Sequence, residues 1–481
     1  MVFGHGIIDY IVVALAVGWS AYLLLVRPRD LLLYLPLLVT VDFFIPLLSQ
    51  LTPGRLVPLV IGGWWFYSGK TPFQGPLAKG LAAGFGIILL STLGALLIGD
   101  SGVRPVIRSL NYVNLLILCG FAWQFSRGKS GVRRLFEGFA LAGVVHAGYA
   151  CYQVLAHKAG LPYRGIIYSA GGVGAGSMSE GGFRINGFAD EPKRLGLVLL
   201  AGTISLLYLA ARERDLTKKH GLQALGVVVL LVSFLTFSTS YLIALLLWLP
   251  AFLLISTRGF KYGVGVAIIA CLVPIFMADT VGNYLVTQKD LMESREKEME
   301  LGLDAQKVYR QEFFAEDLLK TSPELAISGL GMGRYYRVLN DKYGSGAGIG
   351  FYGDLLPLNS QILEVTFDAG LPGVLLVYLG GIWVMWRVKE RGTTGFLLAI
   401  LILFELIQSL FVQSFPLLMI GLGGAVAWAG RDRRSPKARG RKRATVLRRP
   451  KKGGSKMAPE ITGPGAGGGV KFRRAFRPGA S

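Results

Sequence analysis

Apolar runs of bilayer length recur along nearly the whole chain, and that recurrence leaves few folds open. They fall at 7–26, 31–50, 77–98, 105–125, 135–157, 195–211, 222–238, 240–257, 262–286, 358–386, 395–412 and 414–430, with a shorter run at 56–67. A helix crosses the hydrocarbon core with roughly 17–25 residues. Backbone polar groups in lipid have no water to bond, so runs of this length are satisfied only as helices. Hydrophobic residues make up 52% of the 481 residues and charged residues only 17%, which sets aside two or three soluble domains. The expected fold is all-α, a polytopic membrane helical bundle of about 12–13 spans. The first run lacks a basic leader and a small-residue exit, so it is expected to stay as a helix rather than leave as a signal peptide.

The formal net charge of +22 suggests nucleic acid until it is located. Residues 431–481 hold 17 Lys/Arg against Asp432 and Glu460, leaving only +7 for everything before them. This Pro- and Gly-rich tail reads as disordered, a cytoplasmic segment beside anionic lipid, with no nucleic-acid partner expected. The short basic connections at Arg27–Arg29, 126–134, 211–220, 256–261 and 387–391 all face the tail's side if 56–67 counts as a crossing, in keeping with the positive-inside rule. The expected organisation is N-terminal spans over 1–157, an outer loop at 158–194 and central spans at 195–286. A large outer helical loop at 287–357, C-terminal spans at 358–430 and the tail at 431–481 complete it.

Glycine-rich stretches do not make a nucleotide site. Gly69-Lys70-Thr71 resembles the end of a P-loop, but the required upstream glycine is Trp64. Cys119, Cys151 and Cys271 have no framework spacing, and the four histidines are scattered, so neither a disulfide scaffold nor a metal site is expected.

The informative residues gather on the outer side. Arg184 and Lys193-Arg194 flank Asp190-Glu191-Pro192 at the start of the run at 195. A helix N-terminus favours phosphate, and guanidinium grips phosphate oxygens bidentately; an interfacial snorkelling cluster is the plainer alternative. Arg310 and the run Gly329-Leu-Gly-Met-Gly333-Arg334-Tyr335-Tyr336-Arg337 add cations and aromatics suited to a sugar phosphate, or to an ordinary interfacial belt. Asn359, Gln361, Glu364 and Asp368 enter the next run. Polar groups at that depth are costly and commonly functional, and Glu364 and Asp368, four apart, share a helix face.

Four motifs then follow in order: Arg184-x-x-Gly187-x-x-x-x-Pro192; Thr236-x-Ser238; Arg310…Pro323…Gly329-x-Gly331; and Asn359-x-x-Ile362-x-Glu364 with Gly370-x-x-Gly373 after it. This order, from about 184 to 373, resembles the O-antigen ligase and polymerase superfamily. The resemblance implies a metal-independent, C-type glycosyltransferase of the inner membrane, with no cofactor. Such an enzyme takes a glycan from an undecaprenyl-diphosphate carrier at the periplasmic face. Arg184 and Arg310 would hold the diphosphate by matching position; Lys193, Arg194, Arg334, Tyr335, Arg337 and Asn359 join them as substrate-binding candidates, and Glu191 and Glu364 as candidate bases. Ligases of the family carry His where this chain has Leu358, which favours a polymerase extending a carrier-linked acceptor. A ligase acting on lipid A-core, a lipid-linked oligosaccharide flippase and a non-catalytic scaffold are the alternatives. A chain-length regulator and a repeat-unit flippase are the implied protein partners.

Overall fold

A computed structural model describes residues 2–3, 7–43, 51–69, 77–98, 104–164, 178–179, 182–183, 185–189, 191–236, 238, 241–243, 245, 247, 311–343, 358, 360–410 and 415–430. The spans expected at 240–257 and 262–286 lie largely or wholly outside them, as do the Gly-rich run at 170–176, the charged stretch at 287–310 and the basic tail. Met1–Asp432 forms one compact unit.

Eight helices follow in chain order: α1 (Ile7–Val26), α2 (Leu31–Thr40), α3 (Pro53–Ser68), α4 (Ala78–Leu97), α5 (Arg104–Phe125), α6 (Lys129–Ala159), α7 (Pro192–Arg212) and α8 (Leu216–Phe234). Short helices α9 (Gln311–Thr321), α10 (Glu324–Ser328) and α11 (Tyr335–Tyr343) precede the long α12 (Gln361–Lys389), then α13 (Gly392–Gln408) and α14 (Phe415–Ala429). Among the described residues six helices, α1, α4, α5, α6, α7 and α12, are long and apolar enough to cross a membrane. Two strand pairs of two residues each complete the description: β1 (Val2–Phe3) runs parallel to β2 (Tyr163–Arg164), and β3 (Met178–Ser179) lies antiparallel to β4 (Gly182–Phe183).

Local chemistry explains the helix limits. Pro53 and Pro192 open α3 and α7 at their first positions, where the missing N–H costs nothing. Asp215 caps α8 by accepting from the Thr217 and Lys218 N–H groups, a standard N-cap bond. Within the run expected at 31–50, α2 ends at Thr40 with Val41 extended, and 44–50 lies outside the described residues. The run expected at 135–157 is instead part of a 31-residue helix, because the polar turn Lys129–Arg134 continues its hydrogen bonding.

Among the described residues four of the basic connections come together, with Arg133 also acting on Glu213; the one at 256–261 lies outside them. Arg134 pairs with Asp30 at 3.1 Å, Arg212 donates to Thr394 Oγ1, and Arg391 donates to the Ala429 carbonyl. At the other end, β1 beside β2 brings the N-terminal residues to the turn that follows α6.

The core is built by large side chains and by glycines at crossings. Phe121, Phe136, Phe139 and Phe404 are fully buried, and the Phe136 and Tyr208 rings stack at 3.9 Å between α6 and α7. Those helices cross where Gly143 meets Gly202; a methyl group on Gly143 would stand 2.7 Å from the Gly202 Cα. In lipid, where the hydrophobic effect does not drive helices together, such close backbone approach supplies the packing.

Candidate functional site

α12 departs from helical geometry at Gly370, whose φ of +62° is open to glycine. A Cβ there would strike the Ile327 carbonyl, so the kink is also where α10 docks. The Gly329–Gly333 run then wraps this point: the Leu330 N–H donates to the Phe367 carbonyl at 2.6 Å, and the Gly333 N–H to Asp368 Oδ1 at 2.9 Å. The Ser91 hydroxyl of α4 donates to the Asp368 carbonyl. The bend therefore seats the 327–333 segment against α4 and α12 and fixes the first turns of α12.

On those turns Glu364 and Asp368, both fully buried, meet Arg108 of α5. Arg108 Nη2 lies 2.5 Å from Glu364 Oε2, and Nε lies 2.7 Å from Asp368 Oδ2. Tyr112 donates to Asp368 Oδ2 at 2.9 Å, Tyr335 to Glu364 Oε1 at 3.2 Å, and Gln361 Nε2 to Glu364 Oε2 at 3.2 Å. One guanidinium thus spans two carboxylates one helical turn apart, with four further donors around them. Burial among apolar rings pushes the Tyr335 phenol up, which keeps it a donor to Glu364.

Arg108, Tyr112 and Glu364 form one wall of a cavity of about 230 Å³. Arg55 of α3 and Arg194 of α7 line it as well, with Asp42 just beyond α2 and the amides of Asn111, Asn114 and Gln361. Asn114 Nδ2 donates to the Arg55 carbonyl at 3.1 Å, tying α3 to α5 at the arginine. Arg55 feels Asp42 on one side and the like charges of Arg108 and Arg194 on the other.

Arg194 owes its place to a buried amide in α6. Gln153 Oε1 accepts from the Asn186 and Gly187 N–H groups, and Gln153 Nε2 donates to Asn186 Oδ1 at 2.8 Å and to the Arg164 carbonyl at 2.7 Å. His146 supports the same turn, taking the Phe188 N–H at Nδ1 and meeting Thr40 Oγ1 at 3.1 Å through Nε2. The chain enters α7 from this fastened turn, with Arg194 in the first turn of the helix.

No protein-family model matches the chain, and no curated protein matches it.

The sequence candidates separate into three groups. Glu364 and Arg194 line the cavity. Tyr335 stands behind Glu364, buried, as its hydrogen-bond donor; Arg334 lies beside it, donating to the Leu330 carbonyl. Glu191 precedes α7 and pairs with Lys193 at 2.7 Å, and Arg337 is exposed with Asp341 as its partner at 3.7 Å; Glu191, Lys193, Arg334 and Arg337 are not cavity-lining residues. Arg184, Arg310 and Asn359 lie outside the described residues. Sequence reasoning missed Asp42, Arg55 and Arg108. Arg108, Asn111 and Asn114 were polar positions inside an apolar run, which is a usable signal. Arg55 sat at the edge of the run at 56–67 and looked like ordinary flanking charge, whereas Asp42 lay inside the run at 31–50 and carried the same signal as Arg108.

Proposed function

We propose that this chain is a membrane glycosyltransferase of the polysaccharide polymerase kind. In this reading it moves a glycan from an undecaprenyl-diphosphate carrier to a carrier-linked acceptor at the periplasmic face of the bacterial inner membrane. The observation that carries the reading is the convergence of Arg55, Arg108 and Arg194, from three helices, on one cavity. Arg108 is committed to Glu364 and Asp368. Arg55 and Arg194 add positive charge to the same cavity, and cations focused in a cleft favour an anionic ligand. A diphosphate matches these cations in charge and in bidentate geometry.

The chemistry follows from that arrangement. The acceptor hydroxyl oxygen forms a bond to the anomeric carbon while the carbon–oxygen bond to the diphosphate breaks, and the leaving group departs with the electron pair. Cations fixed before the reaction stabilise the charge gathering on the leaving oxygens. Direct displacement inverts the anomeric configuration. Glu364 is poorly suited to take the acceptor proton, because Arg108, Gln361 and Tyr335 already occupy its two oxygens. Leu358, where ligases of the resembled family have His, is buried with its N–H directed to the Tyr335 hydroxyl. That supports a polymerase over a ligase.

The test is reconstitution of the full chain in liposomes with lipid-diphosphate repeat units. Longer glycan together with released carrier diphosphate is expected, and Arg55→Ala or Arg194→Ala should remove both. Movement of the lipid across the bilayer without bond formation would replace this reading with a flippase.

A further inference from the structure

We infer that Asp42 is the general base that takes the proton of the acceptor hydroxyl; the inference rests on the glycosyl-transfer reading above. Among the described residues two carboxylates line the cavity, Asp42 and Glu364, and they are held in opposite ways. Glu364 is fully buried and its oxygens are engaged by Arg108, Gln361 and Tyr335. Asp368 lies behind it, bound by Arg108, Tyr112 and the Gly333 N–H. Asp42 is only half-buried, and its negative field falls on Arg55 across the same cavity. A base must be reachable by the hydroxyl it deprotonates, and of the cavity carboxylates Asp42 meets that condition.

The backbone at Asp42 is anchored from both sides. Its N–H donates to the Phe188 carbonyl at 2.9 Å, and its carbonyl accepts from Arg164 Nη2 at 2.8 Å. Arg164 is itself fixed, 3.3 Å from Asp9 of α1 and stacked 3.8 Å over the Phe43 ring. The anchors engage main-chain groups of Asp42, a residue that lines the cavity. Arg164 is thus a positioning residue for Asp42, joining α1, β2 and the end of α2 behind the site. Phe188 belongs to the turn that leads into Arg194, so one short region sets both the carboxylate and a cavity cation. During transfer the hydroxyl proton passes to an Asp42 oxygen as the new glycosidic bond forms and the diphosphate leaves; the proton then returns to solvent.

The test compares Asp42→Asn with wild type in the full chain, measuring polymer formation and binding of the lipid-diphosphate donor separately. Turnover should fall by about 10²-fold or more, the scale of a lost general base, with donor affinity unchanged. Asp42→Ala assayed with added formate gives a second readout: turnover should rise with formate, whereas a residue needed only for packing would show no such recovery. Wild-type turnover in Asp42→Asn would overturn the role of Asp42 and leave the glycosyltransferase reading standing. Loss of turnover without formate recovery in Asp42→Ala, or loss of donor affinity equal to the loss of turnover, would likewise overturn it. No polymer from the wild-type chain, with binding intact, would overturn the glycosyltransferase reading and the base assignment together.

Discussion

Arg108 shows how much depends on one side chain. It pairs with two buried carboxylates at once, and its removal leaves both without their cation. Breaking such a pair from one side costs about 3–5 kcal/mol, whereas replacing all members by neutral groups of similar shape costs far less. Arg108→Met should therefore destabilise the protein severely, and the triple variant Arg108→Met, Glu364→Gln, Asp368→Asn should recover much of the loss. Thermal unfolding in detergent micelles reads this directly; equal losses in the single and triple variants would show that the arginine acts otherwise. Tyr335 carries a pH dependence of its own. Its phenol is pushed up in the folded protein, so the unfolded chain ionises first. Stability from this group is fully present below the ordinary tyrosine range, near 10, and is lost as pH rises beyond it toward the folded value. Tyr335→Phe should flatten that alkaline decline in the same unfolding measurement.

At the scale of elements, the glycine crossings and the α12 kink decide how helices meet. α6 and α7 touch at Gly143 and Gly202, with no room for a side chain between them. Enlarging a packed contact costs about 1–3 kcal/mol, so Gly143→Leu should lower the unfolding temperature. Leucine at Gly148 of the same helix, where a Cβ meets nothing within 4 Å, should leave it nearly unchanged. The shared face of Glu364 and Asp368 on the first turns of α12 was legible from their i, i+4 spacing. Their partner was not, because Arg108 lies more than 250 residues earlier and spacing within a helix carries no information about which other helix faces it. The Gly329–Gly333 run read as a turn; that it clasps Gly370 and feeds an N–H to Asp368 depends on the kink.

For the whole molecule, the distribution of lysine and arginine sets the expected topology. Among the described residues four of the connections expected to be cytoplasmic lie near one another, through Arg134–Asp30, the field of Arg133 on Glu213 and Arg212–Thr394; 256–261 lies outside them. Cysteine accessibility tests the sidedness: in an otherwise cysteine-free chain, a cysteine replacing Lys129 should react only from the cytoplasm and one replacing Leu161 only from the periplasm. Reaction of both from one side would break the expected alternation.

Sequence alone determined that this chain folds into apolar helices, several long enough to cross a membrane, because a bilayer-length apolar run satisfies its own backbone hydrogen bonds as helix. It also marked Arg194 and Glu364, since charge at the end or inside of an apolar run is costly and stands out. Tertiary structure decided which charges share a cavity. Arg55, Arg108 and Asp42 come from separate helices or their ends, and Lys193 and Arg337, equally conspicuous as residues, are paired elsewhere with Glu191 and Asp341. The difference is physical: burial cost is a property of a residue and its neighbours in sequence, but electrostatic focusing belongs to groups brought together by packing.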